Sequence, residues 1–153
     1  MTRKSPSLKS RKTVSPLLGT LLQTEPAPPA ANQPHLLKAY VALDALHRGS
    51  ATPGLLTILG QHFLVAERLC VMGYLTAALR AIREGHAALV RVDLAAEGGP
   101  TRHAARDDYL ILCRAVSVYE QQLRQASHRA VLDAEYTALQ TLLQAHSACT
   151  VPA

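Results

Sequence analysis

Apolar residues recur every third or fourth position through most of the chain from His35 onward, and no stretch alternates over the length of a strand. Leu36, Tyr40, Leu43 and Leu46 form a first stripe, which "HRG" closes with cations before Gly49. Thr52 and Pro53 supply an N-cap and a first helical residue for a second stripe of Leu55, Leu59, Phe63, Ala66 and Cys70. Gly60 and Gly73 weaken that helix by about 1 kcal/mol each relative to Ala, and Gly73 marks a break or a close helix crossing.

A third stripe, Leu75, Leu79, Ile82, His86 and Leu89, runs through "YLTAALRAIREGHAALVRV", with Arg80, Arg83, Glu84 and Arg91 largely elsewhere on the helix. "LAAEGGPT" reads as a loop. Thr101 restarts the chain; Asp107 and Asp108 then suit the positive end of a helix carrying Leu112, Val116, Tyr119 and Leu123. Ser127 caps a last helix whose stripe is Leu132, Tyr136, Leu139 and Leu143. The pattern predicts an all-α fold, a four- or five-helix antiparallel bundle over residues 35–147. Coiled-coil-like faces on the last two helices add the expectation of a homodimer.

Residues 1–34 read differently, as a disordered basic arm followed by a Pro-rich linker. Six of the nine prolines lie there, and "TEPAPPAANQP" has no apolar period. Between tip and linker, "SPLLGTLLQ" places Leu17, Leu18, Leu21 and Leu22 at helical spacing. It is too short to be stable alone. It is a candidate docking motif for a partner, or a turn that packs back on its own domain.

Composition supports the helical reading. There is no Trp and one Phe, while Ala and Leu, which lose little entropy in a helix, supply much of the apolar surface. The net charge of +5 is segregated: Arg3, Lys4, Lys9, Arg11 and Lys12 are five of the 16 basic residues, and the other 11 balance 11 acidic residues. The arm is basic and the body neutral. Five cations without interleaved aromatics can attract phosphates non-specifically, which makes these five residues the candidate nucleic-acid-binding set.

Cys70, Cys113 and Cys149 are odd in number and form no C-x-x-C pair, which favours a reducing compartment over a disulfide framework. Arg, His, Glu and Gly interrupt every apolar run, and a soluble, cytoplasmic protein with no membrane span is expected. The Arg-over-Lys bias beyond residue 12, with abundant Ala, suggests a GC-rich bacterial genome. No phosphate-binding Gly loop, H-E-x-x-H, G-x-S-x-G or calcium loop is present. Glu67 with Cys70 and His103 with Asp107 could each share a helix face, but two ligands do not make a metal site. No catalytic residue, metal or cofactor is expected. Cys70, His86 and Glu67 would be the groups of an enzyme, were it one.

The segments "LDALHRGSATPGLLTILGQHFLVAERLC" and "SVYEQQLRQAS" carry a resemblance over roughly residues 36–130. The chain resembles short helical proteins of proteobacterial genomes and mobile elements that are often labelled Fis-type transcriptional regulators. That resemblance implies a transcriptional-regulator role with DNA as partner. Residues 137–153 contain no Lys or Arg, so DNA contact is expected from the arm. The function expected is therefore a non-catalytic small helical regulator or adaptor, DNA-associated through its N-terminal arm. The alternative is a protein–protein interaction module with no nucleic-acid role.

Overall fold

The structure, a computed structural model, describes residues 29–149. It contains α1 (Pro29–Arg48), α2 (Pro53–Val71), a 3-10 turn (Thr76–Ala78), α3 (Leu79–Ala95), α4 (Arg106–Gln125) and α5 (His128–Cys149). The all-α expectation holds, with five helices among the described residues. Among the described residues the one extended pairing is an isolated bridge between Ala51 and Arg102.

Helix ends follow local chemistry. Gly49, at φ +72°, ends α1, and the Ser50 N–H donates to the Ala45 carbonyl at 2.9 Å. Pro53 opens α2 after an extended Thr52, whose side chain makes no cap bond. Gly73, at φ +107°, ends α2 and fulfils the expected break. Leu75, expected to lie in the third helix, instead adopts a left-handed conformation at φ 54° just before the 3-10 turn. Helix α1 starts earlier than the apolar stripe: Pro29 sits at its first position and Pro34 lies inside it. The expected division between residues 34 and 35 thus falls within a helix. Pro34 forgoes the bond to the carbonyl four residues back, a loss confined to the N-terminal turns.

Helix α2 is the hub, packing against all four of the others. Leu56, Leu59, His62, Phe63, Val65, Ala66, Leu69 and Cys70 are all buried, so its apolar surface extends well beyond one stripe. By length and composition it is the one described helix apolar enough to cross a membrane, and here that character serves as the bundle's centre. Around it, Ala39, Ala42, Leu43 and Leu46 come from α1, Ile82, Ala88, Leu89 and Val92 from α3, and Leu112, Val116, Tyr119 and Leu123 from α4. The α4 stripe is buried as expected.

Polar groups fasten the pieces. Arg102, 8% exposed, donates from Nε to Asp93 Oδ1 at 2.8 Å and from Nη1 to the Gly99 carbonyl, while its own N–H bonds the Ala51 carbonyl at 2.7 Å. The α3–α4 loop is thereby tied to the α1–α2 loop. Gln122 does the same for the far end of α2. Its Nε2 donates to the Ala66 and Tyr74 carbonyls at 3.0 Å each, with Cys70 Sγ 3.1 Å away. On the surface, Tyr40 donates to Glu120 at 2.6 Å and joins α1 to α4, so Tyr40 is half exposed and outside the core.

The apolar stripe of the last helix faces outward. Leu132, Tyr136, Leu139 and Leu143 are 50%, 65%, 52% and 53% exposed, and the buried side of α5 is instead Ala130, Val131, Ala134 and Ala138. Small side chains let α5 lie close against α2, and interaxial distance is set by the side chains at the contact. The larger residues at the same period are left outside.

Candidate interaction face

The outer face of α5 begins at a well-formed start. Ser127 Oγ accepts from the Ala130 N–H at 3.2 Å, as expected of an N-cap. From there Leu132, Tyr136, Leu139 and Leu143 follow at intervals of four, three and four residues. Taken at 100° per residue, these positions centre on the side of the helix opposite Ala130, Val131, Ala134 and Ala138. The helix is thus apolar on two opposed faces, one against α2 and one turned to water. Other exposed apolar residues come as short sets: Leu37, Tyr40 and Val41 on α1, Val90 and Leu94 on α3. Only α5 offers a row of four among the described residues.

Beside this face lies a pocket of about 270 Å3 between α1, α2 and α5. Ile58, Val65, Ala138, Leu142 and, at the edge of the outer face, Leu139 give it an apolar lining, and His35, Lys38, Gln61, His62 and Glu135 bring polar groups to it. His35 Nδ1 stands 3.5 Å from Glu135 Oε1 and links α1 to α5. His62 is buried, stacked on Tyr119 with ring centroids 5.3 Å apart and met edge-on by His35 at 6.2 Å. Its Nδ1 and the Tyr119 hydroxyl have no hydrogen-bond partner among the described protein groups. Burial, aided by the His35 and Lys38 charges, lowers the His62 pKa to about 4, so the ring is neutral at pH 7. Burial and then the Glu135 carboxylate push the Tyr119 phenol up, which keeps it protonated.

Glu67 and Cys70 lie on α2, and His86 lies on the neighbouring α3. Glu67 accepts from Arg83 Nε at 3.0 Å and lies 3.9 Å from His86 Nε2. His86 sits edge-on to Phe63, and burial lowers its pKa although Glu67 and the Phe63 backbone oppose the shift. Cys70 donates to the Leu75 carbonyl at 3.4 Å, and burial raises its pKa, so its thiolate is disfavoured. Among the described residues, no three His, Cys, Asp or Glu side chains stand close enough to hold a metal ion.

No protein-family model, curated protein or solved structure matches this chain. The candidate nucleic-acid residues Arg3, Lys4, Lys9, Arg11 and Lys12 lie outside the described residues, as do the candidate docking residues Leu17, Leu18, Leu21 and Leu22. Sequence periodicity found the four residues of the α5 face as the stripe of the last helix, and the structure places that stripe outward. The signal it missed is the second apolar stripe of the same helix, built from Ala and Val. His62 and Gln122 were missed because polar residues inside an apolar register read as surface positions.

Proposed function

We propose that this chain is a non-catalytic helical regulator or adaptor that works by laying the outer face of α5 against another amphipathic helix. The observation that carries the reading is the double-sided α5, with Leu132, Tyr136, Leu139 and Leu143 half or more exposed in one row. An apolar row at 3.5-residue spacing matches a helix partner better than a flat surface, since knobs at such positions enter holes of a facing helix. The disfavoured Cys70 thiolate and the engaged Glu67 support a binding role over a catalytic one.

A photocrosslinking amino acid at position 136 of the full chain, expressed in cells, tests this. The expected product is a defined adduct whose partner peptide is an amphipathic helix, with none from the same probe at exposed Arg114. Absence of any adduct from position 136 would end the adaptor reading.

A second reading adds nucleic acid, and the segregation of five cations into the first twelve residues supports it. Fluorescence anisotropy of labelled duplex DNA across a salt series, with the full chain and with residues 1–12 deleted, tests the arm. Deleting only these residues leaves α1 whole. Salt-sensitive binding lost on deletion supports the arm; equal or undetectable binding by both forms at low salt removes it.

A further inference from the structure

Resting on the α5 reading above, we infer that the helix covering this face is α5 of a second copy of the same chain, packed antiparallel. Three features of α5 lead there. The first is register. Leu132, Tyr136, Leu139 and Leu143 are placed symmetrically about the point between Thr137 and Ala138. A two-fold axis at that point sets Leu132 against the partner's Leu143 and Tyr136 against the partner's Leu139. Every layer then pairs an a-type with a d-type position of a 3.5-residue repeat, the layering of an antiparallel helix pair. The stripe is self-complementary, as an isologous two-fold interface requires.

The second feature is charge. Arg129, Asp133 and Glu135, the Arg, Asp and Glu residues of α5, all lie in its first eight residues. The rest of the helix holds no Asp, Glu, Lys or Arg, and one histidine, His146. A parallel pair would stack Arg129 on the partner's Arg129, like charge on like. The antiparallel pair sets Ala134 and Glu135 against the partner's Thr141 and the partner's Gln140, sets Arg129 against the partner's His146, and brings Arg129 toward the negative end of the partner's helix dipole. The charge pattern thus selects the orientation that the apolar register allows.

The third feature is that α5 already uses its opposite face on α2, so pairing requires no rearrangement of the bundle. The stripe spans about 16 Å of helix. A single helix pair of that length lies at the small end of specific interfaces, which run near 800 Å2 per partner. Self-association with a Kd on the order of 10 µM is the expected strength.

Sedimentation equilibrium of the full chain, from about 1 µM to 1 mM, reads the mass directly. The expected result is a monomer–dimer equilibrium that Leu139→Asp weakens about a hundredfold while leaving the circular dichroism spectrum unchanged. Orientation is read by disulfides in a Cys113→Ser, Cys149→Ser background. Leu132→Cys and Leu143→Cys chains, mixed and oxidised, should form the crossed dimer, and Leu132→Cys alone should not. A chain monomeric at 1 mM, or a ready disulfide from Leu132→Cys alone, overturns the inference. An adduct from position 136 to a different protein, with the chain itself monomeric, overturns the second copy and leaves the adaptor reading standing.

Discussion

Gly85 of α3 and Ala115 of α4 approach so closely that a Cβ added at Gly85 would lie 2.7 Å from the Ala115 Cβ and 3.1 Å from Phe63 Cε2. The glycine is there for space, because its helical backbone would accept any residue. Gly85→Ala, which normally favours a helix, is expected to destabilise this protein by about 1–3 kcal/mol through overpacking. Adding Ala115→Gly should recover part of that loss, and urea denaturation of the four-member cycle would show the coupling. Additive effects would mean that the two helices stand farther apart.

Gln122 lies within hydrogen-bond distance of two carbonyls and a sulfur at the end of α2, and is fully buried. Gln122→Ala should cost about 2–4 kcal/mol, since it leaves the Tyr74 carbonyl without this donor and opens a cavity. Hydrogen exchange should rise most around residues 72–78. A uniform rise across the domain would argue against a local tether.

His62 gives the fold an acid-sensitive point. Its folded pKa of about 4 lies below the usual histidine value of 6.5, so between those limits the unfolded chain binds a proton that the folded chain refuses. Stability should therefore be full above about pH 6.5 and fall as pH drops toward 4. His86, shifted in the same direction by burial, adds to the slope. Replacing His62→Phe should flatten the fall in Tm over that window. An unchanged pH profile in the variant would show that His62 is not the group responsible.

The two faces of α5 should respond very unequally to charge. Ala134 is fully buried, whereas Leu139 is 52% exposed. In dilute, monomeric protein, Ala134→Asp should cost about 3 kcal/mol or more by burying an unpaired carboxylate. Leu139→Asp should stay within about 0.5 kcal/mol of the parent. Reversal of this order in thermal melts would place the Leu face inward.

The Arg102 side chain ties its own loop to α3 through Asp93 and folds that loop onto itself through the Gly99 carbonyl. Arg102→Ala should destabilise by about 1–3 kcal/mol, because the carbonyl loses a charged donor and the long side chain leaves a gap. Arg102→Lys should recover little of it, since a single ammonium cannot reproduce a guanidinium reaching two acceptors in different directions. Full recovery by Lys would mean that only charge matters there.

Local chemistry along the chain determined the helices and most of their ends. Apolar spacing marked the core sides of α2 and α4, and Gly49, Pro53, Gly73 and Ser127 punctuated the chain where the structure turns. These signals are short-range: a period of 3.6, a left-handed φ, a hydroxyl three residues from an open N–H. The early start of α1 escaped because prolines obscured it. Tertiary packing alone decided which side of α5 faces inward. Its Leu and Tyr stripe is the more hydrophobic, yet α2 admits only Ala and Val at that approach, and steric fit prevailed over side-chain size. It also decided the fate of Gly85, His62 and Gln122. Their roles depend on Ala115, Tyr119 and Ala66, residues distant in sequence that close packing brings into contact.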